Sequence, residues 1–196
     1  MKITDDVRTD QRLLNLAGYG AGAVDGIVGV RTRAAYERWA QDVARVWMET
    51  PVADERSARN LSTLLPDVQR RGRVWLAAAV EAGRAQGVEV KIICGTRSWA
   101  EQDALYAQGR TAPGSRVTNA RGGGSWHNYG VAFDIGLFDG GRYVTDDAVY
   151  RKLVKAVGVP AGFEWGGNWK SFPDVPHFQY KVKYQCLAAL KAGCKG

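Results

Sequence analysis

The sequence is poor in the side chains that most often bind metal ions or form disulfides. Its 196 residues include only two histidines and three cysteines. The cysteines, Cys94, Cys186 and Cys194, show no Cys-x-x-Cys spacing, and no zinc-finger pattern is present. We therefore expect reduced, structural cysteines, with a bridge between Cys186 and Cys194 as the less favoured alternative.

Long apolar runs are also lacking. No stretch approaches the roughly 18 residues that a membrane-spanning helix needs, and Met1–Asp6 lacks the apolar centre of a signal peptide. We therefore expect no stable membrane insertion, and any export would have to use another route. The composition, 45% apolar and 24% charged, is that of an ordinary globular protein with one or two domains.

Acidic residues are fewer than basic ones, 20 against 27, so the net charge is +7. A positive charge favours polyanions such as nucleic acid, anionic membranes or an anionic cell wall. The basic residues are dispersed, however, and no helix-turn-helix pattern accompanies them. The hypothesis that the protein binds nucleic acid is therefore supported by charge alone. We expect no nucleic acid as a partner.

Each of the two histidines lies close to a carboxylate. His127 and Asp134 share the stretch Ser125–Asp134, and His177 follows Asp174 by three positions. Two histidines and one carboxylate, with a fourth position left for water, are the ligand set of catalytic zinc. The alternative is a solvated carboxylate and two histidines satisfied by ordinary hydrogen bonds.

The residues around Asp134 alternate as in a half-buried strand. Apolar side chains occupy every second position from Val131 to Leu137, with Ala132, Asp134 and Gly136 between them. Asp134 would then project from the strand between two very small neighbours. A buried carboxylate without a partner is costly, and a bound cation would remove that cost.

The motif Ser-x-His-x-x-Gly-x-Ala-x-Asp, followed about forty residues later by acid-x-x-His, resembles a known family. It is similar to the zinc D,D-carboxypeptidase and L-alanyl-D-glutamate endopeptidase family, which includes phage endolysins. The resemblance covers roughly residues 60 to 180. Four further stretches resemble the endolysin branch: Gly95–Gln102, Ala104–Thr111, Val117–Ala120 and Trp165–Phe172.

The resemblance implies a metal site and an acid–base group. His127, Asp134 and His177 match the family's zinc ligands, and Asp174 matches its acid–base carboxylate. Pro176 disfavours a helical conformation of the residue before it, so Asp174 and His177 should lie on a non-helical turn. There the carboxylate could take a proton from zinc-activated water and later protonate the leaving amine.

The resemblance also implies residues that contact the substrate. Arg97 matches the cation that stabilises the developing oxyanion, with Gln102 as its neighbour in the site. Ser98–Glu101 is a capping box that begins a helix, so both side chains can point from one rigid corner into a shared cleft. Ser125 is expected either to support a neighbouring site residue or to donate a hydrogen bond to the substrate. Trp169 is expected to contact the substrate from the Glu164–Trp169 turn, although core packing of Trp165 is at least as consistent with that turn.

Three functions remain open on the sequence. The resemblance implies a peptidoglycan hydrolase, and the endolysin-like stretches favour the L-alanyl-D-glutamate bond. The zinc motif equally fits a D-alanyl-D-alanine carboxypeptidase. The third possibility is a non-catalytic wall-binding protein, which the retention of Asp174 and Arg97 opposes. No His-Glu-x-x-His helix is present.

The endolysin resemblance further implies where the protein acts. We expect a monomer that accumulates in the host cytoplasm and reaches the peptidoglycan after the membrane has been permeabilised.

Residues 1–47 are predicted to form a small all-α module with a short helix at Gln11–Ala17 and a second one from Thr32. Three runs resemble the three-helix peptidoglycan-binding module of wall hydrolases: Gln11–Tyr19, Val24–Gly29 and Arg31–Ala35. The alternative is a helical extension that binds no ligand.

Residues 48–62 are predicted to be a linker, and residues 63–196 an α+β catalytic domain with a small, mainly antiparallel sheet flanked by helices. A helix should run from Pro66 until Gly83 and Gly87 end it, with three arginines toward solvent: Arg70, Arg71 and Arg73. The remaining predicted elements are a strand at Val88–Cys94, a helix from Ser98 to Gly109, a loop at Gly109–Gly124 that rims the site or is plain surface, a helix from Asp146 to Val157, a turn at Glu164–Trp169, a strand at His177–Tyr180 and a helix from Lys183 to Ala192.

Overall fold

The computed structural model describes residues 2–52, 54–181 and 186–194. The helices are α1 Val7–Leu16, α2 Val30–Glu49, α3 Glu55–Ser62, α4 Pro66–Ala85, α5 Trp99–Ala107, α6 Asp147–Val157 and α7 Leu187–Gly193. The strands are β1 Glu89–Cys94, β2 Ala132–Asp139, β3 Arg142–Tyr143, β4 Phe163–Trp165 and β5 His177–Tyr180. None of the described helices is both long and apolar enough to span a membrane.

The strands form one sheet in the order β1-β2-β5-β4, with β3 paired to β2. Every pairing between these strands is antiparallel. On the central strand β2, Asp134 lies opposite Cys94 of β1 on one side and His177 of β5 on the other. The predicted α+β class with a small antiparallel sheet is confirmed, and so is the strand that carries Asp134.

One face of the sheet packs against helix α4. Phe133 of β2 and Phe178 of β5 are fully buried, and the Trp75 ring of α4 lies 6.2 Å and 4.8 Å from theirs. Burial of each large apolar side chain contributes roughly 1.5–3 kcal/mol. Because side chains alternate along a strand, Asp134 is directed to the opposite face. Packing of the apolar face of the sheet against α4 therefore fixes the position of the opposite face, which carries Asp134.

Helix α4 differs from its prediction at two residues. It continues through Gly83 to Ala85, since Gly83 is a packing position: a Cβ there would lie 2.5 Å from the Val90 side chain. The prediction that Arg73 faces solvent is wrong, because this side chain is fully buried. Its guanidinium carbon lies 4.0 Å from the centre of the Trp47 ring, so the end of α2 covers it.

The predicted linker, residues 48–62, contains a packed helix instead of an open connection. Asp54 caps α3 by accepting a hydrogen bond from the Ser57 amide, and Leu61 is fully buried. The Ser57 hydroxyl accepts a hydrogen bond from the Ile92 amide at 2.8 Å. Helix α3 is therefore attached to strand β1, and the polar sequence reflects a short helix with a narrow buried face.

The two expected helices of the N-terminal segment are present, and the second is longer than predicted: it begins at Val30 and extends into the predicted linker as far as Glu49. The Tyr36 hydroxyl donates to buried Asp10 at 2.6 Å, and the Gln11 amide donates to Asp25 in the intervening turn. Leu13 and Trp39 belong to the same hydrophobic core as the sheet residues. The wall-binding role of this segment stays a prediction.

Two smaller differences concern the later part of the chain. The predicted turn at Glu164–Trp169 begins inside strand β4, which pairs with β5, and then forms a 3₁₀ turn at Gly166–Asn168. The last helix is described from Leu187, and its predicted start at Lys183 lies outside the described residues.

Candidate active site

The three predicted metal ligands meet on the open face of the sheet. His127 lies on a 3₁₀ turn at Trp126–Tyr129, Asp134 on β2 and His177 on β5. Nε2 of His127 is 3.1 Å from Nδ1 of His177 and 3.1 Å from Oδ1 of Asp134. Nδ1 of His177 is 3.0 Å from the same carboxylate oxygen. His127 and Asp134 are seven positions apart and His177 is 43 positions beyond Asp134, and their three donor atoms thus form a nearly equilateral triangle.

The other nitrogen of each ring has a hydrogen-bond acceptor. Nδ1 of His127 donates to the carbonyl oxygen of Gly95 at 2.8 Å, because a carbonyl can only accept. Nε2 of His177 donates to the side-chain oxygen of Gln179 at 3.1 Å. The Gln179 amide in turn donates to Glu164 at 3.1 Å, which orients it. With these acceptors in place, the nitrogen of each ring that faces the triangle carries a lone pair whenever that ring is neutral.

Lone pairs from two rings and one carboxylate repel one another unless a proton or a cation lies among them. A tetrahedral zinc ion with bonds of about 2.0–2.1 Å holds its ligands about 3.3 Å apart, close to the observed separations. The donor set and its spacing therefore fit a divalent metal ion, and His127, Asp134 and His177 would hold it.

Electrostatics favour an ionised Asp134 and a neutral His127. Burial raises the pKa of Asp134, but the charges and hydrogen bonds of the two histidines outweigh burial and hold its pKa well below the usual value. Burial lowers the pKa of His127. For His177 burial opposes the charged form, yet the hydrogen bond and charge of Asp134 raise its pKa.

Cys94 adds a thiol to the edge of this cluster, which the sequence reading treated as structural only. Its Sγ lies 3.8 Å from Nδ1 of His127, and Nε of Arg97 donates to it at 3.2 Å. Cys94, His127 and Asp134 offer ligand atoms within 4.8 Å of one another. Burial raises the pKa of the Cys94 thiol to about 11. The neutral thiol is thus a poorer ligand than the His177 nitrogen, and the three cysteines carry free thiols.

Asp174 faces the same cleft as the two histidines. Its half-buried side chain lies at the cleft wall, near enough to Asp134 and His177 for their charges to act on it. Burial raises its pKa, and the negative charge of Asp134 raises it further. No hydrogen bond joins its carboxylate to any side chain in the described part of the protein. The carboxylate is thus free to accept a proton, as its predicted role requires.

Arg97 links the metal cluster to helix α5. Its guanidinium donates to Oδ2 of Asp134 at 3.1 Å and to the side-chain oxygen of Gln102 at 2.8 Å. Gln102 is fully buried and also donates to the carbonyl of Ala120 at 2.9 Å, so it does not line the cleft. The prediction that Gln102 points into the cleft is wrong. It lies behind Arg97 because the capped first turn of α5 directs it toward the Val117–Ala120 loop.

Ser125 and Trp169 both line the cleft, and their contact with the substrate stays a prediction. Ser125 also caps the 3₁₀ turn by accepting from the His127 amide at 3.4 Å. The Trp169 ring lies 5.3 Å from the His177 ring, and its indole donates to Glu164 at 2.8 Å. Trp169 therefore forms a fixed wall beside one metal ligand.

Asn128 is a structural residue of the site that the sequence reading missed. It is fully buried, accepts hydrogen bonds from the amides of Gly123 and Ser125, and donates to the carbonyl of Arg97 at 3.0 Å. This one side chain ties the glycine-rich loop to the start of α5. The position of Asn128 directly after His127 is the feature of the sequence that could have identified it as a site residue.

The cleft has a volume of about 850 Å³ and contains both histidines. The predicted rim loop contributes Val117, Thr118, Asn119 and Ala120, which confirms its place at the site. Exposed Phe172 and Tyr143 contribute apolar surface. A cleft of this size fits a peptide segment of several residues.

Comparison with known proteins identifies the family. A family model described as D-alanyl-D-alanine carboxypeptidase matches residues 118–180, which include both histidines and both carboxylates. The chain is 41% identical over 130 residues to the peptidoglycan L-alanyl-D-glutamate endopeptidase CwlK of Bacillus subtilis (strain 168). That alignment covers 60% of this chain and 74% of CwlK. The chain belongs to the same family of metallopeptidases as CwlK.

Two further proteins are similar to this metallopeptidase. The L-alanyl-D-glutamate peptidase of Listeria phage A118 is 30% identical over 133 residues, which are 65% of this chain and 42% of the phage protein. The crystal structure of the Serratia marcescens L-Ala D-Glu endopeptidase ChiX superposes with a TM-score of 0.43 at 26% identity. It covers 64% of this chain and 86% of ChiX. The match to CwlK confirms the family resemblance found in the sequence.

Proposed function

We propose that this metallopeptidase is a peptidoglycan hydrolase that cleaves the L-alanyl-D-glutamate bond of the stem peptide. The observation that carries the proposal is the triangle of His127, Asp134 and His177, with Asp174 on the same cleft. The relatives named as L-alanyl-D-glutamate peptidases support the choice of bond.

Zinc is the metal we assign to the triangle. Zinc bound there would act as a Lewis acid toward the scissile carbonyl and would make a bound water acidic near neutral pH. Gly95 and Gln179 keep the two ring nitrogens available by holding the opposite ring protons. Arg97 holds the second oxygen of Asp134 and so leaves only one carboxylate oxygen facing the histidines.

Asp174 is the group that moves protons. Its raised pKa brings the carboxylate closer to neutrality than an ordinary aspartate, which suits a residue that accepts a proton and later gives it up. It would take a proton from the attacking water and transfer it to the D-glutamate nitrogen as the bond breaks. Arg97, at the edge of the cluster, would stabilise the developing oxyanion, and Gln102 would position Arg97.

The direct test is mass analysis of muropeptides after digestion of purified sacculi. Cleavage at the proposed bond releases stem peptides that begin with D-glutamate and leaves L-alanine on the glycan. The matched control is protein treated with a chelator, which should give no products until zinc is restored. Intact stem peptides after digestion with zinc-loaded protein would contradict the proposal.

A second candidate is a D-alanyl-D-alanine carboxypeptidase, which the description of the matching family model favours. That activity would shorten pentapeptides by one D-alanine and leave the L-alanyl-D-glutamate bond intact. The same muropeptide masses separate the two reactions. A third outcome, strong retention on sacculi with no change in mass, would indicate a non-catalytic wall-binding protein.

We also propose that residues 1–47 contribute to wall binding and that the protein acts on peptidoglycan after the membrane has been permeabilised. The similarity to a phage peptidase supports the second point. Expression alone should leave cells intact, and addition of a membrane-disrupting agent should lyse them. Lysis without that agent would contradict the proposed site of action.

A further inference from the structure

The thiol of Cys94 lies between two groups that the proposed reaction uses. Its Sγ accepts a hydrogen bond from Nε of Arg97 at 3.2 Å and donates to the carbonyl oxygen of Gly95 at 3.6 Å. The same carbonyl accepts the Nδ1 proton of His127 at 2.8 Å. One side chain therefore contacts both the cation proposed for the oxyanion and the carbonyl that orients a metal ligand.

Each nitrogen of the Arg97 guanidinium has its own acceptor. Nε donates to Cys94, Nη1 to Gln102 at 2.8 Å and Nη2 to Asp134 at 3.1 Å. The contacts of Nη1 and Nη2 alone would let the planar group tilt about the line that joins these two nitrogens. The contact at Nε removes this tilt, because the guanidinium is rigid. The second N–H of Nη1 and of Nη2 faces no acceptor in the described part of the chain, so both are left for a substrate oxygen.

A β-bulge in β1 places Cys94 beside this group. Ile92 pairs regularly with β2, and Cys94 then lies opposite Asp134, so that Ile93 is inserted as one extra residue. In an uninterrupted ladder Ile93 itself would lie opposite Asp134, and its aliphatic side chain could not accept a hydrogen bond. Bulges beside active sites often redirect a side chain in this way. The bulge therefore brings the thiol within reach of the guanidinium.

We propose that Cys94 is a positioning residue of the peptidase reaction, which acts by fixing the tilt of the Arg97 guanidinium. This inference rests on the proposed function, since it assigns the cation there to the developing oxyanion. Only 18% of the Arg97 side chain is exposed, so water replaces a lost contact poorly. A hydroxyl at position 94 can accept from the same N–H, whereas a methyl group cannot.

The alternative is that Cys94 only fills space, as a free cysteine often does in a protein interior. The two roles predict opposite orders for the same pair of variants. If Cys94 holds Arg97, Cys94→Ser should be the more active variant and Cys94→Ala the less active one. If Cys94 only fills space, Cys94→Ala should be the milder change, because a hydroxyl is costlier than a methyl group in an apolar position.

The test is cleavage of a soluble stem peptide by full-length, zinc-loaded protein. Cys94→Ala should lower kcat by roughly 10- to 100-fold with KM nearly unchanged, as expected for a misaligned site. Cys94→Ser should retain at least about half of the wild-type kcat, since its hydroxyl accepts from the same N–H. Cys186→Ala, at an exposed free cysteine, is the matched control and should behave as the wild type. Zinc should stay at about one per chain in every variant, because the proposed ligands are unchanged.

A second measurement observes the contact itself. In ¹H–¹⁵N spectra of the arginine side chains, the hydrogen-bonded Nε–H of Arg97 should exchange slowly with water in the wild type and in Cys94→Ser. It should exchange fast in Cys94→Ala, which lacks the acceptor. Disappearance of the signal in Arg97→Lys assigns it.

Wild-type kcat in Cys94→Ala, a Cys94→Ser variant less active than Cys94→Ala, or an Nε–H signal that is unchanged in Cys94→Ala would each overturn the positioning role. Loss of zinc in Cys94→Ala would overturn it too, because the effect would then act through His127. These outcomes leave the proposed function intact as long as the wild type cleaves the peptide. A wild type that leaves zinc-treated stem peptides uncut would contradict the proposed function itself, and the role of Cys94 in that reaction with it.

Discussion

At the scale of single residues, metal binding and catalysis should separate. His127→Ala removes one corner of the donor triangle, and because metal binding is partly folding energy, both metal and stability should fall. Asp174→Asn leaves the triangle complete, so zinc should stay at about one per chain while turnover falls roughly 100- to 10,000-fold. Metal analysis and muropeptide cleavage of the two variants give the comparison. Near-normal cleavage by Asp174→Asn would remove Asp174 from the mechanism.

If Asp174 were removed from the mechanism, Glu164 would be the nearest other acid in the sequence, but its hydrogen bonds make it unsuitable as the base. Its carboxylate accepts hydrogen bonds from Trp169 and Gln179 and pairs with Lys181 at 3.0 Å. These contacts place Glu164 behind His177, where it supports the ligand.

Arg97 and Gln102 should give graded effects on turnover. Arg97→Ala removes the cation beside Asp134 and should reduce kcat by about 100- to 1,000-fold, as loss of one oxyanion donor does. Gln102→Leu leaves that cation present but unsupported, since Nη1 of Arg97 loses its acceptor. Its kcat should fall less, with KM for a soluble stem peptide nearly unchanged. A larger loss in Gln102→Leu than in Arg97→Ala would place Gln102 on the substrate.

Gln179 should tune metal affinity through His177. Gln179→Leu removes the acceptor that keeps the His177 proton on Nε2, so the proton can move to the nitrogen that faces the triangle. Loss of such an orienting partner typically weakens metal binding 10- to 100-fold. Competition with a chromophoric zinc chelator measures this directly, with Gln41→Leu on an exposed face of α2 as the control. Equal zinc affinity in both variants would refute the orienting role.

At the scale of elements, α3 should stabilise the sheet. Ser57→Ala removes the acceptor of the buried Ile92 amide and should cost about 1–3 kcal/mol of unfolding free energy. Ser62→Ala at the other end of the helix loses only a local bond to Arg59 and should stay within about 0.5 kcal/mol of the wild type. Urea unfolding gives both values. Equal stability of the two variants would return residues 48–62 to the role of a linker.

At the scale of the whole molecule, residues 2–47 and the peptidase part should unfold together. Leu13 is fully buried and packs near Gly130, at the end of the 3₁₀ turn that carries His127. Leu13→Ala should therefore lower the unfolding free energy of the entire chain by about 2–5 kcal/mol. Helix content and peptidase activity, followed along one urea titration, should be lost at the same concentration. Two separate transitions would show an independent module.

Local chemistry made much of this protein readable from its sequence. The alternation around Asp134 predicted β2, the Ser98–Glu101 capping box predicted the start of α5, and the motif predicted which side chains meet at the metal site. These features depend on neighbours within a few positions, because strand periodicity and helix capping are local properties. The short elements α3, β3 and β4 were not predicted, because they contain too few residues to show a clear period.

Contacts between segments that are distant in the sequence were decided only by the tertiary structure. Arg73 looked like part of a solvated helix face, and α2 covers it. Gln102 looked like a cleft residue, and the loop that ends at Ala120 takes its hydrogen bonds. The sequence by itself determined the fold class, the central strands and the set of chemical groups at the site. Burial and the choice of hydrogen-bond partner were decided by three-dimensional packing, since both depend on which remote surfaces the folded chain brings together.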